Sequence, residues 1–131
     1  MMRLPTLFFA TGALFGLAGM IWGIQMSASH DHALSPAHGH LNLLGFVGMS
    51  VFGAFYALVP EAARGRLARV HYGLATLSVL VLAPGISLAI RGRGEILAQA
   101  GSLLALASMA LFALLAIRAL RAPGGAGVPA E

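Results

Sequence analysis

The sequence predicts an all-α integral membrane protein that folds as a four-helix transmembrane bundle. Of its 131 residues, 59% are hydrophobic and only 9% are charged, and the mean hydropathy is +0.88. A soluble domain is about half apolar and about a quarter charged. Four apolar spans, at about residues 5–26, 38–59, 70–90 and 95–117, approach the roughly 20 residues that a helix needs to cross hydrocarbon.

These spans are expected to form one domain, residues 1–121, because no segment between them is long enough to fold separately. The tail at residues 122–131 is rich in small residues, proline and glycine. Such a composition lacks the apolar surface needed for a packed structure, so we expect this tail to be disordered.

The basic residues predict the topology, since all eight are arginine and lie near the ends of the apolar spans. If the N-terminus is cytoplasmic, six arginines lie on the cytoplasmic side and only Arg91 and Arg93 on the other. The excess of positive charge marks the cytoplasmic side, so both termini are predicted to be cytoplasmic. We therefore expect a multi-pass protein of the cell (inner) membrane, with arginines that contact the bilayer rather than nucleic acid.

Glycines recur along the first span at Gly12, Gly16, Gly19 and Gly23. This spacing places small residues on one stripe of a helix, the pattern by which membrane helices approach one another closely. Together with the glycines of the second span, the stripe predicts a homo-oligomer, either a trimer or a dimer.

The second span opens with two histidines, His38 and His40, separated by one glycine. Histidine is costly inside hydrocarbon, so an intramembrane pair indicates a functional site. Side chains two positions apart on a helix point ~200° apart, because each residue advances ~100°. The pair therefore offers one imidazole to each side of the helix, which suits flat cofactors better than one chelated ion.

The two faces of this helix differ in character. The face of His38 continues through Asn42, Gly45 and Met49, and Gly45 is expected to leave a gap over which a planar macrocycle fits. The face of His40 continues through apolar residues, namely Leu43, Leu44 and Val47. Imidazole is a common haem ligand, and helix bundles build such sites from inward side chains.

Two further groups of histidines have other interpretations. His30 and His32 lie in the loop before the second span, where with the His38/His40 pair they suggest a copper or zinc site, since imidazole suits both metals. A solvated polar loop without metal is the alternative. His71 stands near the start of the third span and is expected to be an interfacial residue.

Several classes of function are disfavoured by the sequence. The absence of cysteine excludes disulfides, thiolate metal sites and iron–sulfur clusters. The spans contain no buried carboxylate of the kind that marks a proton path, and no hydrolytic constellation is recognisable. We therefore do not expect the chain to be an enzyme.

Residues 38–60 resemble subunit I of the haem–copper oxidase superfamily, and the likeness is greatest to C-type cytochrome oxidases and nitric oxide reductases. The resemblance is carried by the His-x-His pair, by the glycines at 45, 48 and 53, and by the ending Tyr56-x-Leu58-Val59-Pro60. It covers less than a fifth of the chain. In that family a His-x-His helix ligates two haems, one through each imidazole.

The resemblance implies a fold and two residue roles. Subunit I of that superfamily has twelve helices in three arcs of four, and this chain resembles a single arc. His38 would correspond to the ligand of the active-site haem and His40 to the ligand of the electron-transfer haem. The other histidines of the family's copper site have no counterpart in the remaining spans, so we expect no oxygen or nitric oxide reduction by this chain alone.

The function predicted from the sequence is haem b binding, for electron transfer or haem handling, with a redox partner in a respiratory chain. Because one protomer's pair cannot hold one iron from both sides, we expect His38 of one protomer and His40 of its neighbour to ligate the same haem. Two alternatives stay open: a copper- or zinc-handling membrane protein, and a cofactor-free accessory subunit of a respiratory complex.

Overall fold

The computed structural model describes residues 3–121, which form four long helices and one short helix. The long helices are α1 (Leu4–Ser29), α2 (Ser35–Leu58), α4 (Arg66–Ile90) and α5 (Ile96–Arg121), and α3 (Pro60–Ala63) is a single turn. All four long helices have the length and apolar composition needed to cross a membrane. The predicted four-helix transmembrane fold is therefore confirmed, and the tail expected to be disordered lies outside the described residues.

The helices extend beyond the apolar spans at the arginine-bearing ends. α4 begins at Arg66 rather than near residue 70, and α5 continues to Arg121 rather than ending near residue 117. Hydropathy marks only the part that matches hydrocarbon, whereas backbone hydrogen bonding continues further. The long arginine stem lets the charged group reach water from such a position.

Consecutive long helices run antiparallel and pack side by side. α1 packs mainly on α2, and α5 packs mainly on α4. The contact between α2 and α4 joins these two pairs. We call the end that carries residues 30–40 and 91–95 the histidine end, and the end that carries residues 3, 59–69 and 118–121 the arginine end. The cytoplasmic position of the arginine end stays a prediction.

The glycine stripe of α1 faces α2 of the same chain. A Cβ atom added to Gly12 would lie 3.1 Å from Met49 Cβ, and one added to Gly23 would lie 3.1 Å from His38 Nε2. A Cβ atom at Gly19 would overlap the side-chain amide of Asn42. Since the stripe is used inside the chain, it does not by itself support a homo-oligomer, which stays a prediction.

The contact between α4 and α5 is closer still. A Cβ atom on Gly101 would lie 2.6 Å from Leu82 Cα, and one on Gly85 would lie 2.6 Å from the carbonyl carbon of Leu97. Both neighbours are backbone atoms, which cannot rotate away as a side chain can. The α4–α5 pair therefore depends on glycine at both positions.

The core of the bundle lies towards the arginine end, where all four long helices contribute rings. Phe8 of α1, Phe52 and Tyr56 of α2, and Phe112 of α5 surround His71 of α4, with ring centroids 4.5–5.8 Å from that imidazole. His71 is completely buried. Its side chain is covered by three other helices, and its expected position at the membrane interface stays a prediction.

Candidate functional site

The histidine end of α2 combines a proline start with an unusual helical segment. Pro36 occupies the first turn, where its missing N–H removes no helical hydrogen bond. Directly after His40 the backbone becomes π-helical, over Leu41–Gly48. π-helical turns are rare and occur frequently at functional sites. The two candidate ligands thus lie at the junction between the α-helical first turns and the π-helical segment.

His38 points towards α1. Its Nε2 lies 3.0 Å from the carbonyl oxygen of Gly19, to which it donates a hydrogen bond, and its ring meets Trp22 edge-to-face with centroids 6.0 Å apart. The side chain is half-buried. Because Nε2 carries the proton in this bond, the unprotonated nitrogen of His38 is Nδ1.

His40 has the opposite arrangement. Its Nδ1 donates a hydrogen bond of 2.7 Å to the carbonyl oxygen of Pro36, one turn earlier in α2, and the side chain is exposed. This bond fixes the tautomer in which Nε2 carries the lone pair. Metal-ligating histidines commonly donate their other ring N–H to a backbone carbonyl in this way. His40 therefore lies at a surface of the bundle with its ring held against its own helix.

The other residues predicted on the face of His38 pack against α1. Asn42 donates a 2.9 Å hydrogen bond from Nδ2 to the carbonyl oxygen of His38, and Met49 is completely buried. A Cβ atom on Gly45 would lie 2.8 Å from Phe15 Cβ. The gap expected at Gly45 is thus filled by Phe15, and this face leaves no room there for a planar macrocycle.

The surroundings of His40 are open and apolar. Leu43 and Val47 are 60% and 46% exposed, and a Cβ atom added at Gly39 would meet no atom within 4 Å. Leu43 and Val47 therefore add exposed apolar surface to this face, whereas Leu44 is half-buried. This face therefore presents an exposed imidazole beside exposed apolar side chains.

The loop before α2 is ordered by its own hydrogen bonds. His30 ends α1 with a left-handed backbone (φ 56°), and Asp31 Oδ1 accepts a 3.0 Å hydrogen bond from the N–H of Ala33. His30 and His32 are exposed. Within residues 3–121, no three histidine or acidic side chains come together as a metal site, so the loop and the His38/His40 pair are not assembled into one cluster.

Two hydrogen bonds between helices were not foreseen from the sequence. Tyr56 Oη lies 2.8 Å from Nδ1 of His71 and joins α2 to α4, while Thr11 Oγ1 lies 2.7 Å from Tyr72 Oη and joins α1 to α4. Nε2 of His71 is buried without a hydrogen-bond partner. A polar residue within an apolar span indicates that a hydrogen bond between helices is present. Its partner on another helix cannot be identified from the sequence.

Comparisons with known proteins found no matching protein-family model, curated protein or solved structure. The resemblance to haem–copper oxidase subunit I therefore stays a prediction from the motif in residues 38–60.

Proposed function

We propose that this chain is a haem b-binding integral membrane protein that takes part in electron transfer or haem handling. The observation that carries the proposal is the hydrogen bond from His40 Nδ1 to the Pro36 carbonyl oxygen, at 2.7 Å on an exposed side chain. The bond leaves Nε2 as the basic nitrogen and restricts rotation of the ring. The imidazole is therefore already ordered before a cofactor binds, which reduces the side-chain entropy lost on binding.

His40 is the residue that would hold the cofactor, with the apolar surface of Leu43 and Val47 beside it. Haem supplies one-electron redox chemistry, whose potential depends on the axial ligands and on the burial of the group. The chain's own contribution is to orient one imidazole through the Pro36 carbonyl and to provide exposed apolar side chains beside it.

A second axial imidazole comes, in this proposal, from a neighbouring copy. His38 and His40 of one chain engage different partners, Gly19 on α1 and Pro36 on α2, so they do not converge on one point. His38 of the neighbour would offer Nδ1 as the ligand while its Nε2 keeps the bond to the Gly19 carbonyl oxygen. The support for a homo-oligomer is therefore the exposed His40, which lies where another protomer has access.

The first experiment is to purify the full chain in mild detergent and record oxidised and dithionite-reduced absorption spectra, with haem supplied if the preparation is colourless. We expect a Soret band that sharpens on reduction together with a narrow α band, as for a six-coordinate haem. Haem should also quench the fluorescence of the single tryptophan, Trp22, whose ring contacts His38. A protein that stays colourless and unquenched in the presence of haem would refute the proposal.

One double variant separates this proposal from copper or zinc handling. His30→Ala with His32→Ala removes two exposed loop imidazoles and should leave the haem spectrum unchanged. Loss of haem in this double variant, or stoichiometric copper or zinc binding that it abolishes in the haem-free protein, would favour the metal-handling alternative.

A further inference from the structure

A groove opens at the arginine end between the start of α1 and the end of α2, and we call it the arginine groove. Its cavity has a volume of about 600 Å³, within the range of small-molecule sites. Its walls are mostly apolar and include Leu4, Phe9, Ala57 and Pro60.

Two arginines, Arg3 and Arg64, line the groove together with this apolar surface. Arg64 also pairs with Glu61 at 2.9 Å, but both side chains are about three-quarters exposed. Such surface pairs contribute little and are readily exchanged for a stronger partner. The groove therefore presents two guanidinium groups beside an apolar surface. This arrangement suits an amphiphile with an anionic headgroup.

The charge of the whole arginine end is consistent with an anionic occupant. Within residues 3–121 this end carries six arginines, at 3, 64, 66, 69, 118 and 121, and one acid, Glu61. Arginine binds phosphate through paired N–H donors, and basic pockets between transmembrane helices bind anionic lipid headgroups.

We propose that the arginine groove binds one anionic phospholipid from the leaflet at the arginine end. Arg3 and Arg64 hold the phosphate, and Leu4, Phe9 and Ala57 contact the first part of an acyl chain. The proposal is independent of the haem site, which lies at the other end of the bundle.

The test uses the full chain in detergent, with phosphatidylglycerol added and the bound lipids counted by native mass spectrometry. We expect one phosphatidylglycerol to be retained in preference to phosphatidylcholine. Arg3→Gln with Arg64→Gln should weaken its retention by about tenfold or more. The control, Arg91→Gln with Arg93→Gln, removes the same charge from the histidine end and should leave retention within about twofold. Circular dichroism checks that both variants remain folded.

Ala57→Leu provides a second test, because it fills the groove without changing any charge. We expect this variant to lose the bound lipid although both arginines remain. Equal retention of the two lipids, an equal loss in the control, or full retention in both groove variants would overturn the proposal. Displacement of the lipid by inorganic phosphate at a similar concentration would also overturn it, since the groove would then bind only a free anion.

Discussion

Tyr56 Oη lies 2.8 Å from Nδ1 of His71, and this hydrogen bond joins α2 to α4 where all four long helices contribute rings to the core. His71 is fully enclosed there, so its polar atoms cannot exchange this bond for water. A buried polar group is costly when it lacks a partner. The pair therefore favours one register of α2 against α4. Apolar side chains alone would define this register less sharply.

Removal of one member of this pair should lower the free energy of unfolding by more than removal of both. Tyr56→Phe leaves His71 Nδ1 without its partner, and we expect a loss of about 1–3 kcal/mol in the free energy of unfolding. His71→Phe in the Tyr56→Phe background should recover part of that loss. The measurement is a double-mutant cycle by denaturation in detergent, with an expected coupling energy of about 0.5–2 kcal/mol. Additive single effects would show that the bond contributes no coupling.

Gly101 should tolerate no side chain, because its added Cβ atom would lie 2.6 Å from Leu82 Cα. We expect Gly101→Ala to destabilise the bundle by about 1–3 kcal/mol through overpacking at the α4–α5 contact. Gly73 provides the matched control in α4, since a Cβ atom there would meet nothing within 4 Å. Thermal denaturation followed by helical circular dichroism compares the two variants. Equal midpoints would contradict the close approach of α4 and α5.

Gly19 and Asn42 should show compensation. A Cβ atom at Gly19 would overlap the amide of Asn42, so Gly19→Ala should push α1 away from α2. Asn42→Ala removes the obstructing group, and we expect the double variant to be more stable than Gly19→Ala alone. Emission from Trp22, one turn from Gly19, reports the displacement of α1. If Asn42→Ala gave no recovery, the clash would lie elsewhere in the α1–α2 contact.

Much of the fold could be predicted from the sequence because hydropathy is a local property. The four spans are recognisable from composition alone, and their errors concern helix ends such as Arg66 and Arg121. The burial of His71 could not be predicted, since it depends on Phe8, Tyr56 and Phe112 from three other helices. Nothing local distinguishes that histidine from one at an interface.

The different directions of His38 and His40 could be predicted from the sequence, but their surroundings could not. The His-x-His spacing indicates two imidazoles on different sides of α2, and their hydrogen bonds to Gly19 and Pro36 agree with this geometry. Which imidazole is accessible depends on the packing of α1 and on a backbone carbonyl, and neither is visible in residue spacing. The filling of the Gly45 gap by Phe15 is likewise a consequence of tertiary packing.

His38 and His40 should differ in what they contribute to stability. The His38 ring bonds to Gly19 on another helix, whereas the His40 ring bonds only within its own helix. In the haem-free protein, we expect His38→Ala to lower the free energy of unfolding by about 0.5–1.5 kcal/mol and His40→Ala to have a smaller effect. Denaturation of both variants under identical detergent conditions checks this order, and the reverse order would contradict the assigned contacts.

The central claim is that His40 ligates haem, and the most direct test is His40→Gly with and without added imidazole. We expect the variant to lose the low-spin haem spectrum and to regain it with millimolar imidazole, which enters the space left by an exposed side chain. A merely structural role for His40 would give no such rescue. Retention of the wild-type spectrum by His40→Gly without imidazole would contradict the claim.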